Sequence, residues 1–315
     1  MAESCKKPQV ILLGGPTATG KTALSVGLAK RFGGEVISAD SMQIYKGLDV
    51  GTAKIMPEEM QGVPHHLLDF LSPEETFSVA DFVQLAGQQI SEITARGALP
   101  IVAGGTGLYL SSLQNGVRFA PQKVPEGLKE QLQQELEERG AEAMYQELCA
   151  VDPEAAAGIH PNNLHRVLRA LELYRATGVT MSRQKAESLP EERPYDTVLL
   201  CLDFPDRAKL YERIDLRVDR MMENGLLGEA KLVYDHRDSC KTAAQAIGYK
   251  EFFPYFEQEK SLEDCVAKLK QASRNYAKRQ LTWFRRMPDV IWLDASDPNV
   301  LQTAQRAILA HWPQK

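Results

Sequence analysis

An eight-residue motif near the amino terminus constrains the fold of this chain more than any other feature. Residues 15–22 read GPTATGKT and fit the pattern G-x-x-x-x-G-K-[ST]. A short apolar run at residues 9–13 precedes the motif and a helical pattern at residues 22–32 follows it, which is the strand–loop–helix setting of a P-loop. In that setting backbone N–H groups turn inward toward an anion, and the helix start adds a partial positive charge. The motif therefore predicts an α/β core that binds a diphosphate, whether as part of ATP, of GTP or of another compound.

The motif also supplies side chains for chemistry. Lys21 carries a full positive charge, and the hydroxyl of Thr22 is a ligand that Mg²⁺ accepts in such loops. We therefore expect both residues in catalytic roles, with Thr22 as the metal ligand. The predicted diphosphate-binding residues are Gly15, Pro16, Thr17, Ala18, Thr19, Gly20, Lys21 and Thr22.

Composition sets wide limits around this core. The chain has 315 residues, of which 43% are apolar and 25% charged, a mixture that builds a large core without disulfides or metal. The five cysteines lie far apart, with no Cys-x-x-Cys pair, so they predict neither a disulfide framework nor a zinc site. No apolar run reaches the roughly 18 residues of a membrane span. We expect a cytoplasmic protein without a membrane segment.

Short apolar runs along the chain predict a parallel sheet with crossover helices. Besides the run before the motif, they lie at residues 36–39, 100–103, 197–202 and 290–293. Between residues 121 and 194 no strand pattern occurs. This predicts an all-helical insertion at residues 119–194 between two parts of the core, residues 1–118 and residues 195–315.

Several helices are predicted with their ends. In the insertion, an acidic helix spans residues 125–140, and another begins at Asn162 or Asn163 and ends before Gly178. After the fourth strand, the pattern predicts long helices at residues 207–224, 226–236 and 262–285.

Polar residues follow two of the predicted strands. Asp40 comes directly after the second strand, and the carboxyl ends of parallel strands are where ligands bind in open sheets. We expect Asp40 to contact the metal or the acceptor substrate, and the alternative is that its side chain caps the next turn. Residues 104–107 read GGTG after the third strand, where the hydroxyl of Thr106 is available to a phosphate.

Basic residues are concentrated on two predicted helices, although the net charge of the chain is −5. Arg213, Arg217 and Arg220 share one stripe, and for two of the three we expect salt bridges with acids of the same chain. Residues 266–286 carry seven basic residues and no acid, with Tyr276, Trp283 and Phe284 between them. This pattern fits either a nucleic-acid-binding surface or an ordinary solvated helix face.

Together these segments resemble the motifs of one family, the bacterial tRNA dimethylallyltransferases, also called tRNA isopentenyltransferases. The similar segments run in family order from residue 9 to about residue 286. After the P-loop they are DSMQIY at 40–45, GTAK at 51–54, PHHL at 64–67, GGTGLY at 104–109, HRVLRALE at 165–172, RID-x-RV at 213–218, QAIGY at 245–249 and AKRQLTWFR at 277–285.

The resemblance implies a P-loop NTPase-like parallel sheet core with a helical insertion that embraces the anticodon stem-loop of a tRNA. It implies Mg²⁺-dependent transfer of a dimethylallyl group from dimethylallyl diphosphate to N6 of the adenine on the 3′ side of the anticodon (position 37). We expect the protein to act as a monomer. In this chemistry Asp40 orients or deprotonates the amine, and Arg217 joins Lys21 and Thr22 in stabilising the diphosphate. The tRNA-binding positions that it implies are Asp40, Ser41, Met42, Gln43, Thr106, His165, Arg166, Val167, Leu168, Arg169, Gln245, Gly248, Tyr249, Lys278 and Arg279.

Two other functions use the same P-loop. A nucleoside or small-metabolite kinase is the main alternative, and an ATP-driven RNA-binding module is another. The later motifs and the basic, aromatic segment at 266–286 favour the prenyltransferase, because a small-metabolite kinase has no need of them. Adjacent His65 and His66 lack a third ligand, so we interpret them as structural residues or as part of a pocket wall.

Overall fold

The computed structural model describes residues 7–119 and 125–313. The chain divides into two compact units. The core unit combines the residues up to Gln114 with those from Arg193 onward, and the insertion unit is Asn115–Glu192. The insertion predicted from the sequence was residues 119–194.

A six-stranded parallel sheet forms the centre of the core unit, as predicted. Its strands lie in the order β3-β2-β4-β1-β5-β6. The sequence patterns located five of them, whereas β3 has only two residues and is too short to show alternation. The strands are β1 (Gln9–Gly14), β2 (Gly34–Ser38), β3 (His65–His66), β4 (Leu99–Ala103), β5 (Asp196–Asp203) and β6 (Val290–Asp294).

Fourteen α-helices accompany the sheet within the described residues. They are α1 (Lys21–Phe32), α2 (Pro57–Met60), α3 (Val79–Ala95), α4 (Gly107–Asn115), α5 (Leu128–Val151), α6 (Pro153–Ala157), α7 (Leu164–Thr177), α8 (Met181–Glu187), α9 (Arg207–Glu223), α10 (Leu226–Asp235), α11 (Lys241–Ala244), α12 (Phe253–Phe256), α13 (Leu262–Phe284) and α14 (Val300–His311).

Both faces of the sheet are covered, which explains why its strands are apolar throughout. On β1, Ile11 and Leu13 pack on one face against α1 and α14. Val10 and Leu12 pack on the other face against α3 and α4. Alternate residues of a strand point to opposite faces, so burial on both sides requires an uninterrupted apolar run. β1 thus delivers the P-loop from the middle of the sheet.

A separate hydrophobic cluster positions the segment that follows β2. Ile44, Tyr45 and Leu48 are buried against side chains of α9, α10 and α13. The predicted apolar stripe of α9 is confirmed, with Leu210, Ile214, Val218 and Met221 all buried. This packing brings helices from the last third of the chain to the residues just after β2.

The insertion unit is helical in its described residues, and two predicted details of it are confirmed. The side chain of Asn163 accepts a hydrogen bond from the N–H of Arg166 and caps α7, which ends at Gly178 with φ 71°. α5 changes direction at Gly140, where φ is 80° and ψ is 162°, and then continues to Val151. The predicted end of the acidic helix therefore coincides with this kink.

Candidate active site

The P-loop closes on itself through its own side chains. The Oγ1 of Thr19 and the Nζ of Lys21 both donate to the carbonyl of Pro16, at 2.8 and 2.7 Å. Gly20, with φ 88°, immediately precedes α1. A left-handed backbone there favours glycine, which lets the loop turn directly into the helix.

A cleft of about 1340 Å³ opens beside the P-loop in the core unit. Its walls come from the P-loop, the segments after β2 and β4, and helices α9 and α13. Seven basic side chains line it against three acidic ones, Asp40, Asp49 and Glu59. The basic residues are Lys21, Lys54, Arg213, Arg217, Arg220, Lys250 and Arg279. A protein of net charge −5 therefore offers a predominantly cationic site.

Lys21 and Arg217 lie in the cleft as partly buried cations. Burial, followed by the nearby charge of Arg217, lowers the pKa of Lys21 to about 8, although the charge of Asp40 acts in the opposite direction. Burial also lowers the pKa of Arg217. Across residues 7–119 and 125–313 neither side chain forms an ion pair, and Arg217 reaches only the carbonyl of Thr52, with Nη2 at 3.5 Å. An anion entering this cleft would compensate both charges.

The side chain of Asp40 caps a turn and also lines the cleft. Its Oδ1 accepts hydrogen bonds from the N–H groups of Met42 and Gln43, at 2.9 and 3.3 Å. This is the capping role that the sequence left as an alternative, and Asp40 also lines the cleft. Its Oδ2 has no hydrogen-bond partner in the described part of the chain, so one carboxylate oxygen is available to a substrate.

Thr106 lies beside Asp40 through a backbone contact between neighbouring strands. The Oγ1 of Thr106 accepts from the N–H of Ser41 at 3.3 Å, and its own N–H donates to Ala39. β2 and β4 are adjacent in the sheet, so the residues that follow them meet at one edge. Sequence reasoning named both Asp40 and Thr106, and the structure brings them together.

The arginine stripe of α9 faces the cleft, and the salt bridges predicted for two of its three members are absent from the described structure. Arg213 donates from Nε to the carbonyl of Ala18 in the P-loop at 3.0 Å, and Arg220 lines the cleft. That prediction was wrong because the acids of α9 pair with cations of α13 instead: Asp215 with Arg274 and Asp219 with Lys270. The stripe is left to bind backbone carbonyls and ligands.

Gln280 is a functional residue that the sequence analysis did not select. Its Oε1 accepts from the N–H of Thr17 at 3.0 Å, and its Nε2 donates to the carbonyl of Gly105 at 2.9 Å. A Cβ at Gly105 would lie 2.4 Å from that Nε2, so a side chain there would displace the amide of Gln280. The N–H of Thr17 is thus engaged by Gln280. The available signal was a polar residue among the buried positions of α13, between Ala277 and Leu281.

Glu229 is a second residue that was missed. Its carboxylate accepts from the N–H groups of Asp49, Val50 and Gly51, at 2.8, 2.9 and 2.8 Å, and from the hydroxyl of Tyr249 at 2.8 Å. The loop that it holds continues into Thr52, whose carbonyl accepts from Arg217 and from Gln43. Nothing in the sequence distinguishes Glu229 from a surface glutamate of a helix.

Most of the predicted tRNA-binding positions of the core unit line this cleft. They are Asp40, Ser41, Met42, Gln43, Gln245, Gly248, Tyr249 and Arg279. Lys278 is exposed, with its Nζ 5.7 Å from the ring centre of Tyr211. Burial raises the pKa of Tyr249, which keeps its hydroxyl protonated as a donor to Glu229.

The predicted positions of the insertion unit lie on α7 and differ among themselves. His165, Arg166 and Arg169 are exposed. Val167 is completely buried in the hydrophobic cluster of this unit, and Leu168 packs against the same cluster. We therefore correct the prediction for Val167: its side chain belongs to the core of the insertion and is unavailable as an RNA contact.

The two histidines occupy structural positions, as the sequence suggested. His66 contacts Glu35, with Nε2 2.6 Å from Oε2, and His65 places Nδ1 2.9 Å from the carbonyl of Val63 in the cleft wall. Burial lowers the pKa of His65. The described residues contain no group of three His, Cys, Asp or Glu side chains arranged for a metal ion. They also contain no helix with the length and apolar character needed to cross a membrane.

Comparison with known proteins identifies the family of this chain. The family model described as IPP transferase matches residues 43–287. The tRNA dimethylallyltransferase of Bacillus subtilis is 50% identical over 306 residues, which cover 97% of this chain and 96% of that protein. This chain belongs to the IPP transferase family.

Solved structures of the IPP transferase family extend the similarity to the fold. The full-length tRNA isopentenylpyrophosphate transferase of Bacillus halodurans is 45% identical, covers 97% of each chain and superposes with a TM-score of 0.73. A eukaryotic dimethylallyltransferase, solved in crystallographic snapshots of the enzyme acting on tRNA, is 34% identical with a TM-score of 0.80. That match covers 96% of this chain and 78% of the eukaryotic one. The predicted fold class, a P-loop NTPase-like core with a helical insertion, is confirmed.

Proposed function

We propose that this protein transfers a dimethylallyl group from dimethylallyl diphosphate to N6 of an adenine in tRNA and releases diphosphate. The observation that carries the proposal is the cleft itself. Within the described residues, it places two partly buried cations that form no ion pair beside the P-loop, and a carboxylate with one free oxygen within the same cavity. The two cations therefore suit a leaving diphosphate, and the carboxylate suits an amine nucleophile. The names of the relatives support the same reaction.

The cationic end stabilises the leaving group. As the C–O bond breaks, negative charge accumulates on the diphosphate oxygens, and preorganised donors that face this charge lower the barrier. Lys21 and Arg217 supply the charge, and the N–H groups at the start of α1 supply dipoles. Arg213 and Gln280 hold the P-loop from outside through Ala18 and Thr17. These two residues position the loop and need not contact the substrate.

Asp40 acts on the acceptor. The exocyclic amine of adenine is a weak nucleophile, and it must lose a proton as the new C–N bond forms. The free Oδ2 of Asp40 accepts a hydrogen bond from the amine and takes this proton, while Oδ1 stays bound to the turn. Thr106, beside Ser41, provides a hydroxyl close to the same point.

Mg²⁺ is part of the proposal. The hydroxyl of Thr22, exposed in the first turn of α1, would hold the ion together with the diphosphate and water. Mg²⁺ keeps several waters and binds substrate phosphates, so the hydroxyl of Thr22 would supply one ligand of a site completed by the diphosphate and water. When bound, the ion would neutralise charge on the diphosphate.

The RNA substrate requires a basic surface and an accessible base. An adenine inside a stacked loop must turn out before its amine reaches Asp40. Lys278, Arg279, Gln245 and the exposed side chains His165, Arg166 and Arg169 are proposed to contact the anticodon stem-loop. We propose that the enzyme does so as a cytoplasmic monomer and modifies the adenine on the 3′ side of the anticodon.

One incubation tests the reaction. Purified protein is mixed with unmodified tRNA, Mg²⁺ and radiolabelled dimethylallyl diphosphate, and a parallel reaction contains [γ-³²P]ATP instead. We expect the prenyl label in tRNA and no turnover of ATP. Label absent from tRNA, together with turnover of ATP, would replace the proposal with the kinase alternative.

A further inference from the structure

The carboxyl-terminal part of α13 carries an aromatic and basic stripe that leads out of the cleft. Tyr276 and Arg279 line the cleft, and Trp283 follows at a spacing of three and then four residues, which puts all three on one helix face. Arg286 lies in the turn after the helix, where its N–H donates to the carbonyl of Trp283 at 3.0 Å. The stripe thus continues from the cleft to the protein surface.

Trp283 is held in place yet remains exposed. Its indole packs on Gly107 at the start of α4, where a Cβ would lie only 2.4 Å from the ring. Glycine at that position lets the indole approach the turn closely. Even so, 43% of Trp283 is exposed. An indole fixed along one side and open on another is suited to a flat aromatic partner.

The charges along α13 differ between its two ends. Lys270 and Arg274 pair with Asp219 and Asp215. In the described ranges, by contrast, Arg279 and Arg286 have no acidic partner, and the guanidinium of Arg279 lies 5.6 Å from the ring centre of Tyr276. The unpaired cations therefore lie three and four residues from Trp283, and residues 266–286 contain no acid.

We propose that Trp283 is a stacking platform for an unpaired base of the anticodon loop next to the modified adenine, with Arg279 and Arg286 binding the adjoining phosphates. This inference rests on the proposed function. Single-stranded RNA is recognised by bases that stack on aromatic side chains, and cations beside the ring track the backbone. The continuity of the stripe with the cleft indicates that the stacked base is a near neighbour of the adenine. A protein partner would not require unpaired arginines on both sides of the indole.

Two tryptophans of nearly equal exposure provide a matched test. Trp292, on the edge strand β6, is 41% exposed and does not belong to the α13 stripe. The dissociation constant of an unmodified anticodon stem-loop RNA is measured by fluorescence anisotropy for the wild type, Trp283→Ala, Trp283→Phe and Trp292→Ala. We expect Trp283→Ala to weaken binding about 5- to 150-fold, the range of one base–aromatic stack. Trp283→Phe should recover most of the loss, and Trp292→Ala should bind like the wild type.

A spectroscopic measurement identifies the stack directly. The chain has three tryptophans, so Trp292→Phe with Trp312→Phe leaves Trp283 as the single tryptophan, whose emission can be excited selectively over tyrosine. We expect the anticodon stem-loop RNA to quench the emission of Trp283. A duplex of the stem sequence that lacks the loop should leave this emission unchanged. Binding of inorganic diphosphate by Trp283→Ala should match the wild type, which excludes misfolding.

The outcomes separate this inference from the proposed function. If the wild type prenylates tRNA but Trp283→Ala and Trp292→Ala bind the stem-loop equally well, the stacking platform is wrong and the function stands. If the wild type neither binds the stem-loop nor prenylates tRNA, both are wrong. Quenching by the stem as strong as by the stem-loop would also overturn the platform.

Discussion

The same residue types have different surroundings in the two units of the molecule. In the insertion unit, Asp152 accepts the N–H of Ala155 on Oδ1 and the N–H of Ser182 on Oδ2. Arg175 forms charge-assisted bonds with both Glu135 and Glu147. In the cleft of the core unit, Asp40 uses one oxygen, and Arg217 reaches a single backbone carbonyl.

This contrast distinguishes charged side chains that stabilise the fold from charged side chains that are free to bind a ligand. The carboxylates raise the pKa of Arg175, whereas burial without a partner lowers the pKa of Arg217. An uncompensated buried charge costs free energy, which a bound anion recovers. Unsatisfied atoms that cluster in one cleft therefore identify the functional site better than charge counts do.

Substitution of Asp40 and of Asp152 should give the largest difference in turnover between the two units. Asp40→Asn keeps an oxygen for the turn but cannot take a proton, so we expect turnover to fall by about 10²-fold or more with tRNA binding nearly intact. Asp152→Asn should leave turnover per folded molecule unchanged and lower the melting temperature. Single-turnover prenylation and stem-loop binding are the measurements. Full turnover by Asp40→Asn would remove its proposed role.

The two arginines give the next largest difference. Arg217→Ala removes a cation from the diphosphate end, so we expect about a 10²-fold loss in kcat/KM for dimethylallyl diphosphate. Arg175→Ala should keep that value and instead lose about 1–2 kcal/mol of unfolding free energy, because its bonds to Glu135 and Glu147 disappear. Steady-state kinetics and urea unfolding separate the effects. A larger loss in tRNA affinity than in diphosphate use would move Arg217 to the RNA surface.

Glu229 tests whether a carboxylate whose oxygens are both hydrogen-bonded within the protein can affect the reaction indirectly. Glu229→Gln loses the charge that gathers three N–H groups and the Tyr249 hydroxyl, which loosens the loop beneath Arg217. We expect kcat/KM for the prenyl donor to fall about tenfold. The reason is that stabilisation of the transition state by Arg217 depends on how accurately the loop positions this side chain. Tyr249→Phe, which removes one of the four bonds, should have a smaller effect. A melting temperature lowered without any kinetic change would make Glu229 purely structural.

Local patterns were sufficient for much of this molecule. Five strands, the caps of α7 and the P-loop follow from apolar periodicity and from glycine or asparagine at fixed offsets. The ends of two predicted strands indicated Asp40 and Thr106, and the resemblance added Arg217. Asp40 and Arg217 line one cleft, and Thr106 contacts Ser41 beside it. Each of these signals lies within a few consecutive residues.

The residues that were missed act across long separations in the chain. Gln280 joins Thr17 over 263 residues, and Glu229 joins Gly51 over 178. No local pattern reports such a bond. The error in the α9 arginines has the same origin, because Asp215 and Asp219 of α9 pair with Arg274 and Lys270 of α13, far along the chain. Only the packing of α9 against α13 decides which cations remain free for a ligand.

Lys21 offers the finest test of that distinction. Its pKa is lowered to about 8 by burial and by Arg217, so in the free protein it loses its proton above that pH. Between about pH 8 and its unfolded value of 10.5 the unfolded chain holds more protons, and this group makes the protein more stable as pH rises. NMR of lysines labelled at ¹³Cε, assigned with Lys21→Met, should show a midpoint near pH 8. Inorganic diphosphate should raise that midpoint, because the anion favours the charged amine. A midpoint at the ordinary lysine value in the free protein would mean that Lys21 is as well compensated as Arg175, and the contrast between the two units would fail at its centre.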